Sequence, residues 1–212
     1  MFSYLYNPPI LVKRIFHNFA WESSKDKVLF SFDDGPNPGT TEIILTSLKK
    51  KNIKALFFLV GENILRYPEL VKNILEEGHE IGNHTMRHSI ITKLNKNERR
   101  EELGAVQKIM AEDFGYKVKF FRPPHGRFPF GLADELIPFG LKNVMWSLLT
   151  YDFKNELSIV KKTVDNYLKG NSIIVFHDSN KSAGIIEESI NYAILQAEKN
   201  NFVIGGAKEC LS

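Results

Sequence analysis

Short β-prone apolar runs alternate along most of this chain with longer segments of helical period, and few folds accommodate that alternation. The runs read as strands over residues 28–32, 55–60, 79–82, 119–122, 143–146, 172–176 and 202–204. Between them, apolar spacing predicts helices over 41–51, 68–77, 97–114, 130–139, 157–169 and 185–199. Pro68 opens one of these, and proline is favoured in a first helical turn. Gly78, Gly115, Gly140 and Gly170 each follow a predicted helix, where a left-handed C-cap favours glycine. Strands alternating with helices predict an α/β fold with a mainly parallel sheet. An open sheet and a closed barrel both satisfy that order.

Composition narrows the possibilities. The chain has 212 residues, of which 43% are hydrophobic and 25% charged, as in an ordinary globular protein. At this length one domain is expected, burying roughly 70% of the unfolded surface. The single cysteine, Cys210, excludes a disulfide scaffold and a cysteine-rich zinc site. A net charge of +3 without a long basic run argues against nucleic-acid binding. No stretch reaches the ~20 apolar residues of a membrane-spanning helix.

Residues 1–25 read as an N-terminal arm rich in large apolar side chains (Phe2, Tyr4, Leu5, Tyr6, Ile15, Phe16, Phe19), and 26–212 as the globular body. Pro8 and Pro9 interrupt the apolar run and Lys13 and Arg14 follow it, the reverse of a secretory signal. The expected location is therefore the cytoplasm or the periphery of the inner membrane. Packing on the body is the favoured role for the arm, with peripheral membrane contact the alternative.

The chemically unusual residues gather at the C-terminal ends of the predicted strands. Asp33 and Asp34 follow the first, His84 and His88 the third, and Arg122 ends the fourth. Asp152 lies past the fifth, and His177 follows the sixth. Parallel α/β folds place their sites at that end. Adjacent carboxylates at a strand end point apart, so one can bind a metal while the other acts as a base. A spacing of four places His84 and His88 on one side of a helical turn, suited to a single ion. With Asp34 they form three protein ligands and leave open positions, a catalytic rather than structural pattern. Arg122, in a loop stiffened by Pro123 and Pro124, can pair with Asp33 and keep it ionised. Asp152 can hold His177 protonated.

At these residues the chain resembles the polysaccharide deacetylase family, the NodB homology domain of carbohydrate esterase family 4. The resemblance spans residues 26–205 and follows five motifs in order: 31–36, 84–88, 122–126, 146–153 and 175–178. It implies a distorted (β/α) barrel of about seven strands. It implies a divalent metal on Asp34, His84 and His88, most often zinc, with cobalt, nickel or manganese as alternatives. It makes Asp33 the general base, His177 the general acid, Asp152 its partner and Arg122 the residue that orients Asp33. The backbone N–H of His125 would help stabilise an oxyanion, with Pro124 and Phe153 beside the substrate. His125 stands where the family usually has an aromatic residue, Phe153 where Trp is common, and Leu149 where Asp is often found.

The implied activity is removal of N-acetyl groups from N-acetylglucosamine-type residues of a poly- or oligosaccharide. Alternatives are an O-acetyl esterase on glycans such as xylan, and a deacylase or deformylase of a lipid-linked sugar. A non-catalytic carbohydrate-binding module would need neither Asp33 nor His177. A two-histidine, one-carboxylate iron oxygenase shares the ligand types but suits the strand–helix pattern poorly. Phe120, Phe121, Phe128 and Phe130 suggest a sugar platform, although core packing is the stronger expectation for most of them.

Overall fold

The computed structural model describes residues 6–212, so Phe2, Tyr4 and Leu5 of the expected arm lie outside the described residues. The strands are β1 (Lys27–Asp33), β2 (Leu56–Leu59), β3 (Glu80–Asn83), β4 (Phe120–Phe121), β5 (Lys142–Asn143), β6 (Leu148–Leu149), β7 (Ile173–His177) and β8 (Val203–Ile204). The helices are α1 (Ile10–Ile15), α2 (Thr40–Lys50), α3 (Gly61–Arg66), α4 (Pro68–Glu76), α5 (Lys96–Phe114), α6 (Leu132–Leu136), α7 (Leu157–Tyr167), α8 (Ile186–Lys199) and α9 (Ala207–Cys210).

The pairings between these strands are parallel and follow the order β5-β4-β3-β2-β1-β7-β6, with β8 added to the start of β1. Among the described residues no β5–β6 pairing joins the two ends of this path. The fold is the expected distorted (β/α)7-type barrel.

The faces of the strands divide by the two-residue period of a β-strand. In β1, Val28, Phe30 and Phe32 join the large core under the helices, and Leu29 joins a smaller cluster inside the barrel. Leu56, Phe58, Phe120, Val144 and Ile173 share that interior, which Ala207, Cys210 and Leu211 close at one end. Advancing along the inner row replaces apolar side chains with polar ones: Leu29 gives way to Ser31 and Asp33, and Ile173 and Val175 give way to His177. The register sets Asp33 beside Phe58 on one side and His177 on the other.

Several local expectations change. The predicted strand 143–146 divides, because β5 stops at Asn143 and β6 begins at Leu148. Between them the carbonyls of Val144 and Met145 accept hydrogen bonds from Arg122, and Val144 forms an isolated parallel bridge with Ala20 of the N-terminal segment. Gly115 (φ 59°) and Gly140 (φ 64°) take left-handed conformations. Gly170 caps nothing, because α7 ends at Tyr167 and Leu168 is already extended. Predicted helix 130–139 contains only the five residues of α6, followed by a 3-10 turn over Ile137–Phe139. Helices α1, α3 and α9 have six, six and four residues, too few to display a helical period in sequence.

Phe120 and Phe121 are core residues, whereas Phe128 is half-buried and Phe130 is exposed. In the N-terminal segment, Phe19 and Trp21 are buried in the main core. Phe128 meets Phe19 edge-on with ring centroids 5.1 Å apart.

Gly82 of β3 lies against the Phe58 ring, and a Cβ there would sit 2.5 Å from two ring carbons. Gly82→Ala is expected to destabilise the fold by about 1–3 kcal/mol through forced repacking. Urea denaturation would check this through a lowered midpoint at unchanged slope.

Candidate active site

Arg122 organises the polar end of the barrel. Its side chain has no solvent exposure, and its guanidinium lies 4.2 Å from the centroid of the Phe58 ring. Nη1 donates to Asp33 Oδ1 at 2.7 Å and to Ser31 Oγ at 2.9 Å. Nε and Nη2 donate to the carbonyls of Val144 and Met145. A charge this deep needs both an ion pair and saturated hydrogen bonding, and the strand ends supply them. One oxygen of Asp33 is thereby fixed.

The carbonyl of Arg122 also holds the His84 side chain in place: His84 Nδ1–H donates to it at 2.8 Å. A carbonyl only accepts, so the proton is on Nδ1 and Nε2 keeps a free lone pair. His84 Nε2 and His88 Nε2 lie 3.5 and 3.0 Å from Asp34 Oδ1. One ligand atom from each of the three residues falls within 4.8 Å of the others. Two imidazole nitrogens and one carboxylate oxygen, with the outer nitrogen of one ring already engaged, fit a divalent ion such as zinc. Burial alone would raise the Asp34 carboxyl, but its contacts with His84 and then His88 overcome that and hold it well below the usual carboxylate range.

The two histidines do not share a helical turn, as their spacing suggested. Residues 84–88 form an irregular loop in which Thr85 (φ 67°) and His88 (φ 54°) are left-handed. The loop is held from outside. Thr85 N–H donates to Asn83 Oδ1, and Arg87 N–H donates to the buried Glu102. The first N–H groups of α3, from Gly61 and Glu62, donate to the carbonyls of Thr85 and Met86. Asn63 of α3 donates to the Asp34 carbonyl. Asn83, Glu102 and α3 had no signal in the sequence, since their function is to hold backbone.

On the opposite wall, His177 Nδ1–H donates to Asp152 Oδ1 at 2.7 Å, and the His177 backbone N–H donates to Asp152 Oδ2. Asp152 is fully buried and also accepts from Thr150 Oγ1 and Phe153 N–H. Burial disfavours the imidazolium, but the charge and hydrogen bond of Asp152, aided by Asp34 and Asp33, push His177 up to about 9. Phe153 meets the His177 ring edge-on at 4.8 Å.

His125 occupies a 3-10 turn begun by the buried Pro124, with a left-handed backbone (φ 58°). Its ring stands 4.7 Å from that of His88, centroid to centroid. Burial first, and His88 next, hold its pKa below the usual imidazole value. Gly126 packs under Trp146, where a Cβ would approach the indole to 2.3 Å.

These residues line one cavity of about 340 Å³, together with Trp146, Leu149, Tyr151 and Lys181. Asp33, Asp34, His84, His88, His125, Phe153 and His177 all face it. Arg122, Asp152 and Pro124 stand behind. Asp178 closes the last of the five motifs. It is fully buried and accepts from Thr40 and Thr41 Oγ1 at 2.5 and 2.6 Å. Its N–H donates to the Asp33 carbonyl at 2.7 Å, and Gly35 leaves room for its carboxyl. It therefore clamps the start of α2 and the Asp33–Gly35 turn to the end of β7.

Residues 21–144 match the family profile described as polysaccharide deacetylase. A Bacillus cereus peptidoglycan-N-acetylglucosamine deacetylase is 37% identical over 161 residues, covering 76% of this chain and 58% of that protein. The Bacillus subtilis peptidoglycan-N-acetylmuramic acid deacetylase PdaC is 34% identical over 166 residues, covering 77% of this chain and 35% of that one. The chain thus spans less than two thirds of the length of either relative. The solved structure of the Bc1960 peptidoglycan N-acetylglucosamine deacetylase superposes with a TM-score of 0.87 at 28% identity, covering 97% of this chain and 98% of that one. The chain belongs to the polysaccharide deacetylase family, carbohydrate esterase family 4.

Because Asp152 raises His177, the imidazolium persists until the pH passes about 9. Asp152→Asn removes that attraction and leaves the opposing effect of burial. If His177 serves as an acid, the alkaline limb of the pH–rate profile is expected to move toward neutral pH in this variant. A profile with its alkaline limb in place would exclude that coupling.

Proposed function

We propose that this chain is a hydrolase that removes N-acetyl groups from N-acetylglucosamine-type residues of a glycan. The observation that carries the reading is the pairing of Asp33 and His177 across neighbouring strands beside the Asp34–His84–His88 cluster. One is a carboxylate hydrogen-bonded to a buried arginine, and the other an imidazole held protonated by a buried aspartate. A base and an acid facing one cavity are what amide hydrolysis requires.

Asp34, His84 and His88 would hold a divalent ion; the donor set suits zinc, with cobalt, nickel or manganese as substitutes. When bound, the ion supplies Lewis acidity toward a carbonyl and acidifies a water molecule. Asp33 takes a proton from the attacking water, and the water oxygen bonds to the acetamide carbonyl carbon. Arg122 occupies one oxygen of Asp33 and leaves the other to accept that proton. The backbone N–H of His125, in its proline-stiffened turn, would donate to the developing oxyanion. The C–N bond then breaks and the electron pair goes to nitrogen, which receives a proton from His177. The products are acetate and a free amine. Phe153, Tyr151 and Trp146 offer aromatic walls for a sugar ring.

The named activities of the Bacillus relatives support a peptidoglycan-type substrate. An acetate-release screen over peptidoglycan fragments, chitooligosaccharides and acetylxylan tests the reading. Release from the amino-sugar glycans supports it, and release from acetylxylan alone would replace it with an O-acetyl esterase. Exhaustive chelation is expected to abolish acetate release, with zinc or cobalt restoring it. Asp33→Asn is expected to lower turnover by roughly 10²–10⁴-fold, the contribution of a positioned base. Its metal content by elemental analysis should match that of the unaltered protein, and loss of metal would contradict the separate roles of Asp33 and Asp34.

A further inference from the structure

Helix α1 is amphipathic in the wrong sense for a water-facing helix. None of its residues is buried. Val12, with Phe16 just beyond the helix, packs inward against the core, and Lys13 is bound to Glu22 at 2.7 Å. At 100° per residue, Ile10, Leu11, Arg14 and Ile15 share the outward arc. Its three aliphatic side chains are 64%, 65% and 56% exposed. The patch continues beyond the helix. Phe16 touches Phe130 with ring centroids 5.4 Å apart, and Phe130 is 84% exposed. Among the described residues, four of the nine exposed large hydrophobic side chains thus lie on α1 or against the Phe16 ring at its end, a concentration that marks an interaction surface.

Lys13 is neutralised by Glu22, and Asp134 is an exposed acid beyond Phe130, but the face itself carries only cations. Residues 6–21 and 123–133 contain Lys13, Arg14 and Arg127 and no Asp or Glu. Arg14 and Arg127 are exposed. Exposed aliphatic and aromatic side chains flanked by arginines complement a bilayer with anionic headgroups. A second copy of the chain fits less well. A two-fold interface places a patch against itself, so the exposed arginines of one copy would face a patch that carries the same arginines. The segment that carries Phe130 follows the 3-10 turn whose His125 lines the cavity.

From this face we infer that the chain docks peripherally on an anionic lipid surface through Ile10, Leu11, Arg14, Ile15 and Phe130. The inference does not depend on the proposed deacetylation. The test is co-sedimentation of the full chain with phosphatidylcholine vesicles and with vesicles of equal parts phosphatidylcholine and phosphatidylglycerol. Binding is expected to the second and not the first, and to weaken with salt. The double variant Leu11→Asp, Ile15→Asp is expected to bind at least about tenfold more weakly, as lost membrane burial of apolar groups requires. Arg14→Gln is expected to bind about fivefold more weakly, the effect of one cation near an anionic surface. Leu195→Asp, outside the patch, should bind as the unaltered chain does, and the double variant's far-ultraviolet circular dichroism should match it. No binding to the anionic vesicles, or equal binding to both kinds, would overturn the inference. So would a dimer in light scattering that Leu11→Asp dissolves, because the face would then belong to a second copy.

Discussion

Much of the site hangs on the buried guanidinium of Arg122. It lies on the Phe58 ring, fills the polar end of the barrel and joins Asp33 on β1 to the carbonyls of Val144 and Met145. Its own carbonyl sets the tautomer of His84. One residue therefore orients the carboxylate proposed as the base and one imidazole of the metal-fitting cluster. The arrangement tolerates little change, since an uncompensated charge at this depth costs about 3–5 kcal/mol when its partner is removed. It also explains why the chain from Val144 onward leaves the sheet: carbonyls turned toward Arg122 are lost to the ladder.

A second buried carboxylate does related work on the other side. Asp178 binds the hydroxyls of Thr40 and Thr41 and, through its N–H, the carbonyl of Asp33. Its hydroxyl bonds favour the ionised form, but burial prevails and pushes its pKa up to about 7. Arg122 and Asp178 hold the Asp33–Asp34 turn from inside and outside the barrel, so its two carboxylates can diverge toward different partners.

The sequence read well where a residue's chemistry is its own. Asp33, Asp34, His84, His88, His125 and His177 stand at or just beyond strand ends, and the structure brings them to one cavity. The other two histidines belong elsewhere: His17 is exposed, and His79 is a core residue whose Nδ1 accepts from the Ala55 N–H. Burial pushes His79 down to about 4, so it is neutral. The sequence read poorly where backbone geometry decides. A spacing of four looks the same in a helical turn and in the loop that carries His84 and His88, because only the phi angles of Thr85 and His88 separate them. Asn83, Glu102 and α3 hold that loop from elsewhere in the chain, and no local pattern connects them to it.

The sequence by itself determined the strand–helix alternation, the parallel sheet and the kinds of side chain at its C-terminal end. Those follow from hydrophobic period and residue chemistry, which are local. Only the tertiary structure decided which face of each strand lines the barrel, that Arg122 reaches Asp33 from three strands away, and that Asp152 meets His177 across 25 residues of chain. It also decided that helix α1 presents its aliphatic residues outward, since the inward face of so short a helix is chosen by what it packs against. Each of these depends on side chains distant in sequence competing for one interior, and that competition is settled by packing and by the cost of burying charge.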